Sequence, residues 1–449
     1  SNMKKLVSIL KNKEIMNRIL FTVLILFVFR IGSQITVPGV TIGDDLSGYL
    51  SSNNALSLMN LLGGGTLQSF SIFALGVSPY ITAQIIVQLL ATDVLPALSD
   101  LKHQGQYGRK KMEMATRYLT LMLGAVQAYG IVKTMESSSY ITFEVAEQEW
   151  LTYIYVVIIL MAGSMLVMWL GDKISVNGIG NGISMIIFAG IVCSLPSQFS
   201  TAFTKWVSSG TGKELTGIFQ FLLYVFCDLL IVSFVTFIEL SKRKIPVQHS
   251  GKGGGQTQSM AKASFLPIKI NSAGVIPVIF ASSILMAPSV VVAFIDSSAT
   301  DAKWLGIFNT SLMYEMDGWK MPWGLIIYLV LIIAFTFFYS NLQINPEQLA
   351  ENFQKNGSYI PGIRPGNETE RYVRKVLNRV TVLGAISLAI IAALPPVLTM
   401  SGIFGDNTSL ALGGTGLIIV VGVALELNSQ IDGLLAGKSF DEVVASGGQ

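Results

Sequence analysis

Ten apolar segments, most of them about 20 residues long, run through this chain of 449 residues. A helix of that length crosses the hydrocarbon core of a bilayer, which is about 30 Å thick. Only 13% of the residues are charged, whereas soluble domains contain about a quarter. The alternation of apolar and polar residues that marks barrel strands is absent. The sequence therefore predicts an all-α polytopic membrane protein with ten spans, at 17–36, 70–91, 115–134, 150–170, 182–196, 216–239, 272–295, 322–341, 377–397 and 410–428.

Lysine and arginine residues are distributed unevenly around these spans. Of the 30 residues, 24 lie near the N-terminus, in the C-terminal tail or in the loops that follow even-numbered spans. One loop on the opposite side, 136–149, carries four acidic residues and no basic one. Because basic residues concentrate on the cytoplasmic side, we expect both termini in the cytoplasm. We also expect residues 1–2 to be a tag remnant, with no cleavable signal peptide before the first span.

The ten spans divide into two halves of five, 3–205 and 206–449. Because five is an odd number, the two halves must cross the membrane in opposite directions. Inverted repeats of this kind place a functional pathway at the interface between the repeats. We therefore predict two inverted, pseudo-symmetric halves with a pathway between them.

Residues that carry enzymatic chemistry are scarce in this sequence. His103 and His249 lie in different loops without metal-ligand spacing, and Cys193 and Cys227 lie in apolar segments that indicate no disulfide framework. The glycine-rich stretch 178–182 lacks the preceding strand of a phosphate-binding loop, which favours a flexible start to span five. We predict no catalytic site, no metal site and no cofactor.

Asp228 is the only acidic residue well inside a predicted span. A protonated or hydrogen-bonded acid is the favoured interpretation, and a functional role is the alternative. Proton- or ion-coupled carriers usually keep ionisable residues near the bilayer midplane, so their scarcity argues against a secondary transporter. That transporter, with inverted repeats, and an insertase or scaffold without a pore are the two competing classes.

Six segments together resemble the SecY family of bacterial protein-conducting channels. They occur in the family's order, and the resemblance extends over essentially the whole chain after the tag. It implies a ten-helix channel in the bacterial cytoplasmic membrane, with an hourglass pore, a plug and a lateral gate. The segments are FRIGSQITVPGV (29–40), SIFALGVSPYITAQIIVQLL (71–90), GIGNGISMIIFAGIV (178–192), LPIKINSAGVIPVIFASS (266–283), INPEQLAENFQKNGSYIPGIRPG (344–366) and GGTGLIIVV (413–421).

The resemblance assigns roles inside the channel to particular residues. An apolar pore ring corresponds to Val77, Ile81, Ile183, Ile187, Ile279 and Ile419. A plug corresponds to about 55–70, with Leu58, Met59, Leu61 and Leu62 beneath the ring and Gly63, Gly64 and Gly65 as a hinge. Without the resemblance, these residues would be interpreted as ordinary core aliphatics and a surface loop helix.

The lateral gate of the family lies between spans two and seven. Gln88 and Asn271 correspond to polar gate positions, where a buried amide pair would bias the gate by about 1 kcal/mol. Pro79, Pro277 and Pro288 are expected to remove helical hydrogen bonds in these spans and so to permit kinks.

Two loops, 241–270 and 342–376, correspond to the family's docking platform for the ribosome or the SecA motor ATPase. KIPVQH and FLPIKI are predicted to pair as a hairpin, and YIPGIRPG presents Arg364 on a stiff turn. The implied docking residues are Arg243, Lys244, Lys252 and Arg364. The tip 251–258 departs from many relatives because Lys252 is its only basic residue, which leaves the strength of its contact with ribosomal RNA open. A lineage-specific loop, an accessory member of the family or an engineered replacement would each explain this departure.

The resemblance also implies the partners of the channel. They are the SecE and SecG subunits, the SecA motor, the ribosome, signal peptides and unfolded preproteins, and membrane lipid.

A solvated loop arginine is the alternative interpretation of Arg364.

Overall fold

The computed structural model describes residues 2–44, 46, 54–91, 106–137, 141–143, 149–207, 214–249, 265–270, 274–295, 307–308, 314–316, 318–401 and 408–446. Asn271 and Lys252 lie outside these residues. Helices dominate, and we number them α1 (Asn2–Lys11), α2 (Lys13–Ser33), α3 (Asn54–Leu62), α4 (Ser78–Leu90), α5 (Gln106–Ser137), α6 (Glu149–Asn177), α7 (Gly182–Trp206), α8 (Glu214–Leu240), α9 (Ile276–Ile295), α10 (Trp323–Gln343), α11 (Pro346–Asn356), α12 (Asn367–Met400) and α13 (Thr408–Ser446).

Each of the ten predicted spans contains one of these helices, namely α2, α4 to α10, α12 and α13, which confirms a polytopic all-α chain. Within the described residues, seven helices are long and apolar enough to cross a membrane: α2, α6, α7, α8, α10, α12 and α13. The apolar helices of spans two and seven are shorter. The chain is a multi-pass membrane protein.

The prediction of a continuous helix over 70–91 is wrong in its first half. Residues 72–77 form turns, and α4 begins only at Ser78. The cause is a set of long-range hydrogen bonds to the end of α2: the Ser71 hydroxyl donates to the Gly32 carbonyl oxygen over 2.9 Å, and the Ile72 N–H donates to Ile35 over 3.1 Å. The resulting α4 is about 20 Å long.

Two of the three expected proline kinks are also wrong. Pro79 and Pro277 are each the second residue of their helix, α4 and α9. A proline in the first turn removes no hydrogen bond, because the N–H there has no partner within the helix. Pro288 lies inside α9, as predicted.

The glycine-rich stretch 178–182 is a tightly packed turn, so the prediction of a flexible start to span five is wrong. A β-carbon on Gly182 would overlap the carbonyl oxygen of Gly171 in α6. The Gly182 N–H donates to the Ser175 hydroxyl over 2.8 Å, and the Ile179 N–H donates to the Thr22 hydroxyl of α2 over 3.0 Å. These glycines allow close packing of helices α2, α6 and α7.

Eight short strands form two-stranded antiparallel pairs in the described part of the chain. They are β1 (Val40–Ile42), β2 (Ile141–Phe143), β3 (Lys242–Pro246), β4 (Gln248–His249), β5 (Phe265–Lys269), β6 (Tyr314–Met316), β7 (Trp319–Met321) and β8 (Ser358–Tyr359). The pairs are β1 with β2, β3 with β5, β4 with β8, and β6 with β7. The β3–β5 pair confirms the predicted pairing for 244–246 with 265–267, whereas Gln248 and His249 of the predicted hairpin pair with β8 instead.

Of the three apolar clusters among the described residues, two organise most of these elements. The larger one joins the spans, and α9 packs there against α4, α5 and α10 while α13 packs against α7, α8 and α12. The smaller core, which we call the loop core, comprises Ile245, Ile268, Ile360, Val373, Val376, Leu377 and Val380. It lies between the β3–β5 hairpin, the turn after β8 and the first half of α12, so the two predicted docking loops share one core.

Candidate pore and docking sites

The six predicted pore-ring residues lie on four elements of the large core. Val77 is the N-cap of α4 and Ile81 lies one turn later, while Ile183 and Ile187 lie on α7. Ile279 lies on α9 and Ile419 on α13. All but Ile183 are at least nine-tenths buried, and Ile183 packs partly buried against the same core. Helices from both halves of the chain therefore contribute branched aliphatic side chains to one dry cluster.

Helix α3, the predicted plug, packs against α7, α9 and α13. These are three of the helices that carry ring residues. Met59, Leu61 and Leu62 of α3 are buried in the same core as the ring, and the side chain of Leu58 lies outside the described part of the chain. The short apolar helix is therefore seated against the ring helices.

Three glycines end α3 and allow its close contact with span five. The Gly64 N–H donates to the Leu61 carbonyl over 3.1 Å, and the Gly65 N–H donates to Asn60 over 2.9 Å. Gly64 has φ +72°, so this is the left-handed helix end that glycine favours. A β-carbon on Gly64 would lie 2.7 Å from the Cα of Gly190 in α7. A hinge role for Gly63, Gly64 and Gly65 stays a prediction.

The end of α2 fixes the segment that follows α3, and sequence reasoning missed these contacts. The Ser69 hydroxyl donates to the Ser33 carbonyl oxygen over 3.0 Å. Arg30 Nη1 donates to the Gly64 carbonyl oxygen over 2.7 Å. The only available signal for Arg30 was a charged residue near a span end, which also suits an arginine that reaches the membrane surface.

The predicted lateral gate is a contact between α4 and α9, with α5 also packed on α9. Gln88 is half-buried on α4, and its Oε1 atom is buried with no hydrogen-bond donor among the described residues. Asn271 lies outside the described residues, so the expected pairing of the two amides stays a prediction.

Arg364 is exposed at the tip of a turn whose backbone is fixed from both sides. Gly362 and Gly366 have φ values of +80° and +102°, and the Thr369 hydroxyl donates to the Arg364 carbonyl oxygen over 2.7 Å. The guanidinium makes no ion pair within the described residues.

Arg243 and Lys244 are exposed on β3, opposite Ile268 and Pro267 of β5. The two predicted docking loops are joined by the β4–β8 pair, in which Gln248 lies opposite Tyr359. The Tyr359 hydroxyl donates to Gln248 Oε1 over 3.0 Å. Arg243, Lys244 and Arg364 therefore lie on loops that pair with each other and share the loop core.

Asp228 lies apart from these sites. It is buried on α8 next to Cys227, which packs in a small cluster with Tyr224, Trp206 and Ala202. Cys193 and Cys227 are both free thiols. Among the described residues, no group of His, Cys, Asp and Glu side chains is arranged to bind a metal ion.

Known proteins match the chain over most of its length. The SecY family model matches residues 71–428. The chain is 41% identical over 442 residues to the protein translocase subunit SecY of Mycoplasma capricolum, with 96% of this chain and 89% of the relative covered. It is 40% identical to the protein of the same name from Lactococcus lactis, with 97% of each covered.

Solved structures show the same fold. A structure of a protein-conducting channel superposes with a TM-score of 0.66 at 17% identity, covering 94% of this chain and 92% of the other. A SecY structure concerned with its plug domain gives 0.64 at 18% identity, with the same coverage. Sec61 in a canine ribosome–channel complex gives 0.63 at 17% identity and the same coverage. From the family model and the near-full-length relatives together, the chain belongs to the SecY family.

Proposed function

We propose that this chain is the pore-forming subunit of a bacterial protein translocase. It passes unfolded secretory proteins across the cytoplasmic membrane and releases hydrophobic segments sideways into the bilayer. One observation carries the proposal: aliphatic residues from helices of both halves share one dry core, and α3 is packed on the helices that supply them. A substrate-binding transporter site would need polar or charged groups at that position.

The pore ring supplies the seal of the channel. Val77, Ile81, Ile183, Ile187, Ile279 and Ile419 form a narrow apolar constriction that excludes water and ions by dewetting. Aliphatic side chains offer no hydrogen bonds to a passing polypeptide, so they seal around it without retaining it. In the resting channel, Met59, Leu61 and Leu62 of α3 add a second apolar layer as the plug.

Sideways release takes place between α4 and α9, the helices of spans two and seven. Gln88 and Asn271 act as a polar pair that stabilises the closed gate by about 1 kcal/mol. The hourglass pore lies between the two inverted halves, 3–205 and 206–449. We place both termini and both docking loops in the cytoplasm, because 24 of the 30 basic residues lie on that side of the predicted spans.

The energy for transport comes from partners, since the chain itself is a channel and not an enzyme. The SecA motor and the ribosome dock on Arg243, Lys244, Lys252 and Arg364, where an arginine fork suits carboxylates and RNA phosphates. The ribosome-bound Sec61 channel of the same fold is consistent with such docking. SecE and SecG complete the membrane complex.

Reconstitution tests this proposal. The chain is placed in proteoliposomes with SecE and SecG, and ATP-driven transport of an unfolded secretory precursor by SecA is measured as protease-protected precursor. Transport by the parent protein and its loss in Arg364→Glu are expected. Arg109→Glu, which makes the same charge change on an exposed residue of α5 outside both docking loops, is the matched control and should stay active.

The outcomes distinguish the channel assignment from the docking role of Arg364. If Arg364→Glu transports precursor as well as the parent, Arg364 is not needed for docking, and the channel assignment still stands. A complex that binds SecA but moves no precursor, even as the parent protein, would contradict the channel assignment.

A further inference from the structure

Arg30, near the C-terminus of α2, makes a contact that the channel mechanism above does not use. Its Nη1 atom donates a hydrogen bond to the carbonyl oxygen of Gly64 over 2.7 Å, and the arginine is half-buried. A guanidinium forms stronger hydrogen bonds than a neutral donor because it is charged. This bond joins the first span directly to the plug segment.

The accepting carbonyl lies at the C-terminal end of helix α3. Gly64 is the left-handed residue two positions beyond the end of α3, next to the last helical carbonyls, which carry the partial negative charge of the helix dipole. A cation at this end of a helix is favourable, so the charge of Arg30 and the dipole of α3 match. The Gly64 backbone also packs closely against Gly190 of α7.

The segment that follows α3 is held at the end of α2 by different bonds. The Ser69 and Ser71 hydroxyls donate to the carbonyl oxygens of Ser33 and Gly32, and the Val37 N–H donates to Phe70. These bonds do not involve α3 and can persist when it moves. Among the described hydrogen bonds, the Arg30 contact is the one that connects α2 to the end of α3 itself.

We propose that Arg30 is a positioning residue that holds the plug in the resting channel through the Gly64 carbonyl. When α3 leaves the ring, this bond must break, while the bonds of Ser69 and Ser71 to α2 keep the downstream end of the segment in place. The inference rests on the proposed function of α3 as a plug. It adds a named residue that sets how readily the plug opens.

The test measures ion leakage through the resting complex in proteoliposomes, without precursor or motor. Arg30→Met keeps an unbranched apolar stem and removes the charge and the hydrogen-bond donors. Losing one charge-assisted bond should raise the open fraction, and with it the leak, by roughly tenfold. Arg30→Lys retains a charged donor and should restore most of the seal.

Arg18→Met is the matched control. Arg18 lies on the same helix and donates to the Gly178 carbonyl oxygen over 3.2 Å, away from the plug. Its loss should leave the leak at the parent level. If Arg18→Met leaks as much as Arg30→Met, the effect comes from a loosened α2 and the proposal fails.

A cross-link separates a plug effect from a general defect. Leu61 side-chain carbons lie 3.7 Å and 3.8 Å from the β-carbon position of Gly416 in α13. Leu61→Cys and Gly416→Cys, in a chain with Cys193→Ser and Cys227→Ser, are bridged by a short bifunctional thiol reagent. Bridging should abolish the leak of Arg30→Met. A leak that persists when the plug is fixed would overturn the proposal.

A variant that lacks 55–65 tests the plug itself. If this deletion leaks and Arg30→Met does not, the plug assignment stands and the role of Arg30 is wrong. If neither variant leaks, both the plug assignment and the role of Arg30 are wrong.

Discussion

Gly64 and Gly190 meet backbone to backbone, so that a β-carbon on Gly64 would lie 2.7 Å from the Cα of Gly190. The end of α3, the predicted plug, thus packs against α7 at a distance that only glycines permit. Gly190→Val should displace α3, because overpacking at such a contact costs about 1–3 kcal/mol. We expect a leak of ions through the resting channel that is about tenfold above the parent, measured in proteoliposomes.

Gly124→Val is the control for this substitution. Gly124 also lies inside a helix, but a β-carbon there would be 4.0 Å from its nearest neighbour, in Pro79. If the ion leak of Gly190→Val is no higher than that of Gly124→Val and of the parent, the contact between Gly64 and Gly190 does not hold the plug in place.

A polar residue in the pore ring should wet the constriction. Ile187 is 1% exposed and lies in the core with the other ring residues. Ile187→Asn places an amide in this dry cluster and should raise the resting conductance, whereas Ile187→Leu should leave it unchanged. Single-channel recording in planar bilayers measures the conductance of both variants. If the two conductances are equal, Ile187 does not contribute to the seal of the pore.

The turn between α6 and α7 should tolerate no side chain at Gly182, because a β-carbon there overlaps the Gly171 carbonyl oxygen. Gly182→Ala should destabilise the protein by about 3 kcal/mol through this overlap. Thermal unfolding of the purified protein in detergent measures the effect. The control is Gly433→Ala in α13, where a β-carbon meets nothing within 4 Å, and a similar fall in both variants would contradict the packing argument.

The elements that could be predicted from the sequence are those that local residue patterns determine. The spans follow from apolar length, and the β3–β5 hairpin follows from two apolar stretches around a glycine-rich tip. Sequence reasoning failed where distant segments decide the structure. The turns over 72–77 replace a helix because Ser71 and Ile72 bond to the end of α2.

Long-range contacts also explain the sites that the sequence missed. The bond from Arg30 to Gly64 and the pairing of Gln248 with Tyr359 each join segments that are far apart in the chain. No periodicity or spacing marks such partners. The ring residues were placed by resemblance alone, since buried isoleucines in a membrane helix look the same whether they line a pore or a core.

The loop core should determine the stability of the predicted docking loops without affecting the ion leak of the resting channel. Ile268 is fully buried there, so Ile268→Ala should cost about 2–4 kcal/mol of local stability. We expect faster hydrogen exchange at the amides of Ile245 and Ile360 and weaker SecA binding, with an unchanged resting leak. Leu266→Ala, at a partly buried position on the same strand, should have a smaller effect. Unchanged exchange in Ile268→Ala would contradict a shared core.

The most direct test of the channel assignment is to find where a precursor lies during transport. A photo-cross-linking amino acid is placed at Ile187, at Ile419 or at Val330, which is 59% exposed on α10, and transport is arrested halfway by a folded domain at the end of the precursor. We expect the hydrophilic part of the precursor to cross-link to positions 187 and 419 and not to 330. Transport that proceeds while the ring positions never cross-link to the precursor would contradict it.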